Sequence, residues 1–145
     1  VKVENVLIRE MGRNESEKGY LDISATLGLE TNETCAKGIK ERFTLGAMVG
    51  SECIGIVSVE APFPNNGSIY WIGVRKEYLR QGVGKALLEA AKALATRLGA
   101  NSVTVEMKSP QEEELKTLRP WIFFQRMGFL PLFERSGMVY LYKNI

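Results

Sequence analysis

Apolar and polar residues alternate over residues 3–9, which predicts a first strand ended by the turn-rich Gly12-Arg13-Asn14. From Tyr20 to Phe43 no single period dominates. Thr31-Asn32 is a helix-start signal there, and Ala36, Ile39 and Phe43 fall on one face of a helix running to about Arg42. Residues 45–49 and 53–59 are two apolar runs around Gly50-Ser51, the pattern of a hairpin. Pro62, Pro64 and Asn65-Asn66-Gly67 form the next loop. Residues 68–74 are almost continuously apolar, as a central strand covered on both faces requires.

The clearest helix spans residues 82–98. Val83, Leu87, Ala91, Leu94 and Leu98 make one stripe, with Ala90 and Ala95 beside it, while Lys85, Glu89 and Lys92 lie opposite. Gly99 is its stop signal. A strand at 102–105 follows, and strand-helix-strand implies a right-handed crossover to a parallel neighbour. A charged connection at 110–118 leads to a short helix at 120–127, with Pro120 in its first turn and Gly128 closing it. Residues 129–133 and 138–142 form a second hairpin around Glu134-Arg135-Ser136-Gly137. These elements predict an α/β chain, a mixed sheet of about seven strands with about four helices.

Composition narrows the chemistry. A length of 145 residues fits one domain, 1–145. There is no His, so imidazole-based triads and His-containing zinc sites are excluded, and two Cys cannot build a four-thiolate site. No metal is expected. Catalysis must use carboxylates, Tyr, Lys, a thiol, backbone groups or the substrate's own nucleophile. A net charge of +2 does not predict a nucleic-acid face. No apolar run approaches the ~18 residues of a spanning helix, so no membrane role is expected. The first ten residues do not form a secretory signal, which points to a cytoplasmic protein with Cys35 and Cys53 as free thiols.

The segment that carries chemistry runs from Ile69 to Lys85. A central strand enters a loop and then a helix whose first turn holds Gly82 and Gly84. The first N–H groups of a helix lack intrahelical partners and stand at the positive end of its dipole. Glycine lets a phosphate approach that backbone, so the segment is an anion site that needs no His. Arg75, Lys76, Arg80 and Lys85 stand against Glu77 alone, a net +3 where the whole chain carries +2. The Walker pattern fails, because Ala86 follows Gly84-Lys85 and Leu79 replaces its first Gly. The dinucleotide fingerprint fails at Leu87.

The loop resembles the acetyl-CoA loop of the Gcn5-related N-acetyltransferase (GNAT) superfamily, Gln/Arg-x-x-Gly-x-Gly/Ala. Arg80-Gln81-Gly82-Val83-Gly84 matches x-x-Gly-x-Gly, and Leu79 departs from the leading Gln/Arg. Pro120-Trp121-Ile122-Phe123-Phe124-Gln125-Arg126-Met127-Gly128-Phe129 is similar to the family's Ala-x-x-Phe-Tyr-x-Lys-x-Gly-Phe. The resemblance covers about Leu45 to Tyr142. It implies a mostly antiparallel sheet whose central parallel pair splays at an acyl-CoA site. It also implies acetyl-CoA as cosubstrate, an amine acceptor, and a direct attack of the amine on the thioester. Homodimers are common in the family. The cofactor contacts it implies are Ile72, Gly73 and Val74 on the bulged strand, with Gly73 suited to the bulge. Leu79, Arg80, Gln81, Gly82, Val83, Gly84 and Lys85 follow in the loop, and Phe124 lies on the last helix.

The family's usual proton-transfer groups are replaced. Phe124 stands at the thiolate-protonating Tyr, and Ser68 at the Glu base. Tyr70, Glu106, Tyr140 and Tyr142 are the candidate substitutes. Glu112, Glu113 and Glu114 near the acceptor mouth would favour a cationic amine. The alternative function is a non-catalytic acyl-CoA-binding sensor or regulatory module.

Overall fold

The computed structural model describes residues 5–63, 65–109 and 115–145. Its strands are β1 (Leu7–Glu10), β2 (Phe43–Val49), β3 (Glu52–Phe63), β4 (Asn66–Val74), β5 (Ser102–Lys108), β6 (Leu130–Arg135) and β7 (Met138–Asn144). They form one sheet in the order β1-β2-β3-β4-β5-β7-β6. Among the described residues, β4–β5 is the one parallel pair, and every other ladder is antiparallel. The expected mixed sheet and both hairpins are therefore present.

Helix α3 (Val83–Arg97) supplies the crossover between β4 and β5. Val83, Leu87, Ala91, Leu94 and Ala95 are buried as the stripe predicts, but Leu88 is fully buried and Leu98 is 40% exposed. Leu98 is already the C-cap of α3, so the stripe has turned away from the sheet there. Gly99, at φ +93°, ends the helix in a conformation that suits only glycine well. On the same face lies α4 (Leu115–Arg126), whose Phe124 joins Phe129 in this core. The helix starts before residue 120, so Pro120 lies inside it rather than in its first turn.

The other face carries α1 (Arg13–Leu27) and α2 (Glu33–Lys40). Asn32 caps α2 by accepting from the Cys35 N–H at 2.7 Å, as its sequence position predicts. Helix α1 was hidden in the mixed pattern after Gly12. Its buried residues are Ser16, Gly19, Tyr20, Ile23 and Ser24, spaced for a helix but mostly small or polar. Glu15 closes its start by accepting from the Gly12 N–H at 3.0 Å. Tyr20, Ile23, Ala36, Ile39 and Ile56 form the second core between these helices and the sheet.

Candidate active site

The parallel ladder ends early. Ser68 pairs with Thr104 and Ile69 with Val105, the last pair between these strands. Strand β4 then continues to Val74 and β5 to Lys108, so the two diverge into a splay. Beyond the ladder, β4 pairs with β3 alone, and β5 with β7.

Which groups of β4 face the gap follows from the alternation of an antiparallel ladder. The Arg75 N–H donates to the Ile54 carbonyl at 2.8 Å. In that register Gly73 and Trp71 also direct their main-chain groups at β3, opposite Ile56 and Ser58. Ile72 and Val74 therefore turn their N–H and C=O groups toward the splay. Of the three expected main-chain contacts, Gly73 is thus committed to β3. The bulge also differs from expectation. Ser58 pairs with Trp71 and Val59 with Ile69, so the inserted residue is Tyr70, not Gly73. The role of Gly73 is steric. A Cβ there would sit 2.6 Å from Trp71 Cζ3 and 3.2 Å from Ile23 Cγ2.

The loop after β4 begins with a 3₁₀ turn, Lys76–Tyr78. Leu79 packs half-buried on the core and anchors the loop. Arg80 is exposed at φ +63°, and Gly82 follows at φ +84° as the N-cap of α3. The Gln81 side chain donates to the Glu77 carbonyl at 3.1 Å. The first helical bond runs from the Ala86 N–H to the Gly82 carbonyl at 3.0 Å. Val83, Gly84 and Lys85 are thus left with N–H groups that have no helical partner. Gly84 faces Phe123 of α4, with 3.3 Å between its would-be Cβ and the ring. Phe123 is half-buried there, whereas Phe124 is only 2% exposed and packs edge-on against both Phe123 and Phe129. Phe124 is placed as core, and Phe123 is the aromatic neighbour of the glycine loop that the sequence pattern missed.

The charge of the loop is smaller than the sequence count. Arg75 pairs with Glu77 at 2.7 Å and Glu52 at 3.5 Å, and Glu77 holds its guanidinium pKa above the ordinary value. Lys76, Arg80 and Lys85 make no ion pair among the described residues. Arg75 instead lines a cavity of about 250 Å³ with Met11, Lys18, Asp22 and Cys53. That cavity opens beside α1 and shares no residue with the gap-facing part of β4. Lys18 is paired with Asp22 within it, at 2.6 Å.

The four proton-transfer candidates separate clearly. Tyr70 lies against α2: a Cβ on Gly38 would meet its hydroxyl and ring. The Arg42 guanidinium stacks 3.8 Å over that ring, donates to the Gly38 carbonyl at 2.8 Å, and pairs with Glu60 at 2.9 Å. Burial raises the Tyr70 pKa, with the nearby Cys35 adding to it. Glu106 is the first β5 residue past the ladder. It is exposed and lies directly across from Tyr140 on β7. Desolvation, and then the Glu106 carboxylate, raise the Tyr140 pKa. The Tyr140 ring stacks on Phe133 at 4.5 Å and 18°. Tyr142 pairs with Thr104, level with the closed part of the ladder. Glu112, Glu113 and Glu114 lie outside the described residues.

A mixed sheet splayed at its one parallel pair, with open main-chain groups beside a glycine helix start, defines an acyl-CoA-transferase type of architecture. Residues 8–129 match the Acetyltransferase (GNAT) family, and the chain belongs to it. No curated protein matches the sequence. Among solved structures, a GNAT-family protein from Desulfovibrio desulfuricans superposes with TM-score 0.81 at 17% identity, covering 96% of this chain and 98% of that one. The PaiA N-acetyltransferase from Thermoplasma acidophilum, in complex with coenzyme A, gives TM-score 0.75 at 15% identity over 97% and 99%. A Bacillus subtilis acetyltransferase in complex with CoA gives 0.75 at 19% over 97% and 99%. At these identities the likeness is one of fold.

Proposed function

We propose that residues 1–145 act as one acetyl-CoA-dependent N-acetyltransferase unit that acylates a primary amine by direct attack on the thioester. The observation that carries this reading is the pair of gap-facing residues Ile72 and Val74, next to the N–H groups of Val83, Gly84 and Lys85 that have no helical partner. The helix start receives the pyrophosphate, with Arg80 and Lys85 as side-chain cations. The strand receives the pantetheine, and its N–H groups polarise the acetyl carbonyl. We assign the protein to the cytoplasm, in keeping with its two half-buried free thiols.

The amine nitrogen forms a bond to the acetyl carbon, the carbon–sulfur bond breaks, and CoA leaves as the thiolate. Glu106 takes the proton that the amine must lose, directly or through water. Tyr140, directly across from it on β7, positions that carboxylate. Tyr70 is a wall residue in this scheme. The test is calorimetry with acetyl-CoA, followed by free-CoA release over a panel of amines. Binding with amine-dependent release supports the transferase.

A second reading is a non-catalytic acyl-CoA sensor. One observation favours it: the position of the family's proton-donating Tyr is Phe124, and it is sealed in the core. Binding without release over the panel would establish the sensor.

A further inference from the structure

We propose that Trp71 is the acceptor-recognition platform and that the site takes small primary amines carrying an aromatic group. This rests on the transferase reading and names the substrate class of that site. In a regular strand, Tyr70 and Trp71 would point to opposite faces. The bulge at Tyr70 instead puts both against the second core, on the α1/α2 face. The Trp71 indole then folds along the strand over Gly73, a position open only because Gly73 has no Cβ. Tyr20 holds it edge-on at 5.1 Å and 86°. Tyr20 is fixed in turn, its hydroxyl accepting from the Asn32 N–H at 3.3 Å. The indole remains half-buried rather than sealed.

A flat, immobilised indole thus lies on the strand that carries Ile72 and Val74, on the face opposite α3. The far side of the splay is aromatic as well. Tyr140 stacks on Phe133, which is 50% exposed, with Glu106 beside it. An amine that reaches the gap between these walls puts its nitrogen near Glu106 and its substituent against rings. An aryl group gains both apolar burial and a favourable ring–ring geometry there. A short hydroxylated amine gains neither.

The experiment compares 2-phenylethylamine with ethanolamine as acceptors, reading free-CoA release, together with calorimetric acetyl-CoA affinity. We expect a kcat/KM at least tenfold higher for 2-phenylethylamine in the unaltered protein. Trp71→Leu should cut that preference at least fivefold, chiefly through the KM of the aryl amine, with acetyl-CoA affinity within twofold. Trp71→Phe should lower it two- to threefold, and it decides the matter if the Leu variant does not fold. A preference near one in the unaltered protein overturns the proposal. So does a preference unchanged in a variant that binds acetyl-CoA, or turnover of neither amine by protein that binds it. Absence of acetyl-CoA binding in the unaltered protein overturns the transferase reading, and this inference with it.

Discussion

The Phe123 ring stands 3.3 Å from the place a Cβ on Gly84 would occupy. The first turn of α3 is therefore pressed against α4 at the N–H groups that the proposed function gives to the pyrophosphate. Any side chain at residue 84 must displace the ring or crowd the ligand. Gly84→Glu adds a negative charge as well. We expect it to abolish acetyl-CoA binding in calorimetry, with a circular dichroism spectrum like that of the unaltered protein. Gly84→Ala should weaken binding by an intermediate amount. Unchanged affinity in Gly84→Glu would remove the loop from the site.

Glu106 is the first β5 residue beyond the parallel ladder, and in the proposed scheme replacing its carboxylate should separate chemistry from binding. Glu106→Gln keeps the shape and removes the proton acceptor. The expected loss in kcat is about 10²–10⁴-fold, with acetyl-CoA affinity unchanged. The loss should shrink as pH rises and more of the amine is already neutral. A flat pH profile of the ratio between the two proteins would assign the deprotonation elsewhere.

Gly38 and Tyr70 test how α2 is seated. Alanine in a helix is favoured over glycine by about 1 kcal/mol. A Cβ on Gly38 would nevertheless fall inside contact distance of the Tyr70 hydroxyl and lie 2.8 Å from Cε2. Arg42, stacked on the ring at 3.8 Å, leaves Tyr70 little room to retreat. Gly38→Ala should destabilise the fold by about 1–3 kcal/mol in denaturant unfolding. Tyr70→Leu in the same chain should recover part of the loss, and a purely additive double variant would contradict the contact.

Arg9 and Glu15 tie β1 to the start of α1, at 2.7 Å. The Arg9 hydrogen bond, and then the Gly12 N–H, hold the Glu15 carboxyl at a pKa of about 2, below its ordinary 4.5. A pKa lowered on folding stabilises above the unfolded value, and that stability is lost as pH falls through the folded one. The Tm of Glu15→Gln should therefore lie below that of the unaltered protein at pH 7. The gap should close between about pH 4.5 and 2. Both groups are exposed, so the gap should be small and should narrow with added salt.

Much of this molecule is written in its periodicities. The sheet, its hairpins, α3 and the glycine loop follow from apolar runs, turn residues and one amphipathic stripe. These are local signals, and local backbone preference agrees with the final fold at each of them. The absent His likewise excludes imidazole-based chemistry from composition alone.

Other features exist only in three dimensions. Helix α1 escapes a hydrophobic reading because close seating on the sheet selects Ser16, Gly19 and Ser24, where a Cβ at Gly19 would already be 3.2 Å from Ile56. The bulge at Tyr70 is a mismatch between two strands, so neither strand's sequence contains it. That single inserted residue turns Tyr70 and Trp71 onto one face, while ladder alternation leaves Ile72 and Val74 open to the gap. The apparent charge of the loop also changed, because Glu52 on another strand claims Arg75. Sequence determined that a glycine-bearing helix start follows a central strand. Long-range pairing decided which atoms of that strand are free, because a main-chain group is available only where no neighbouring strand has taken it.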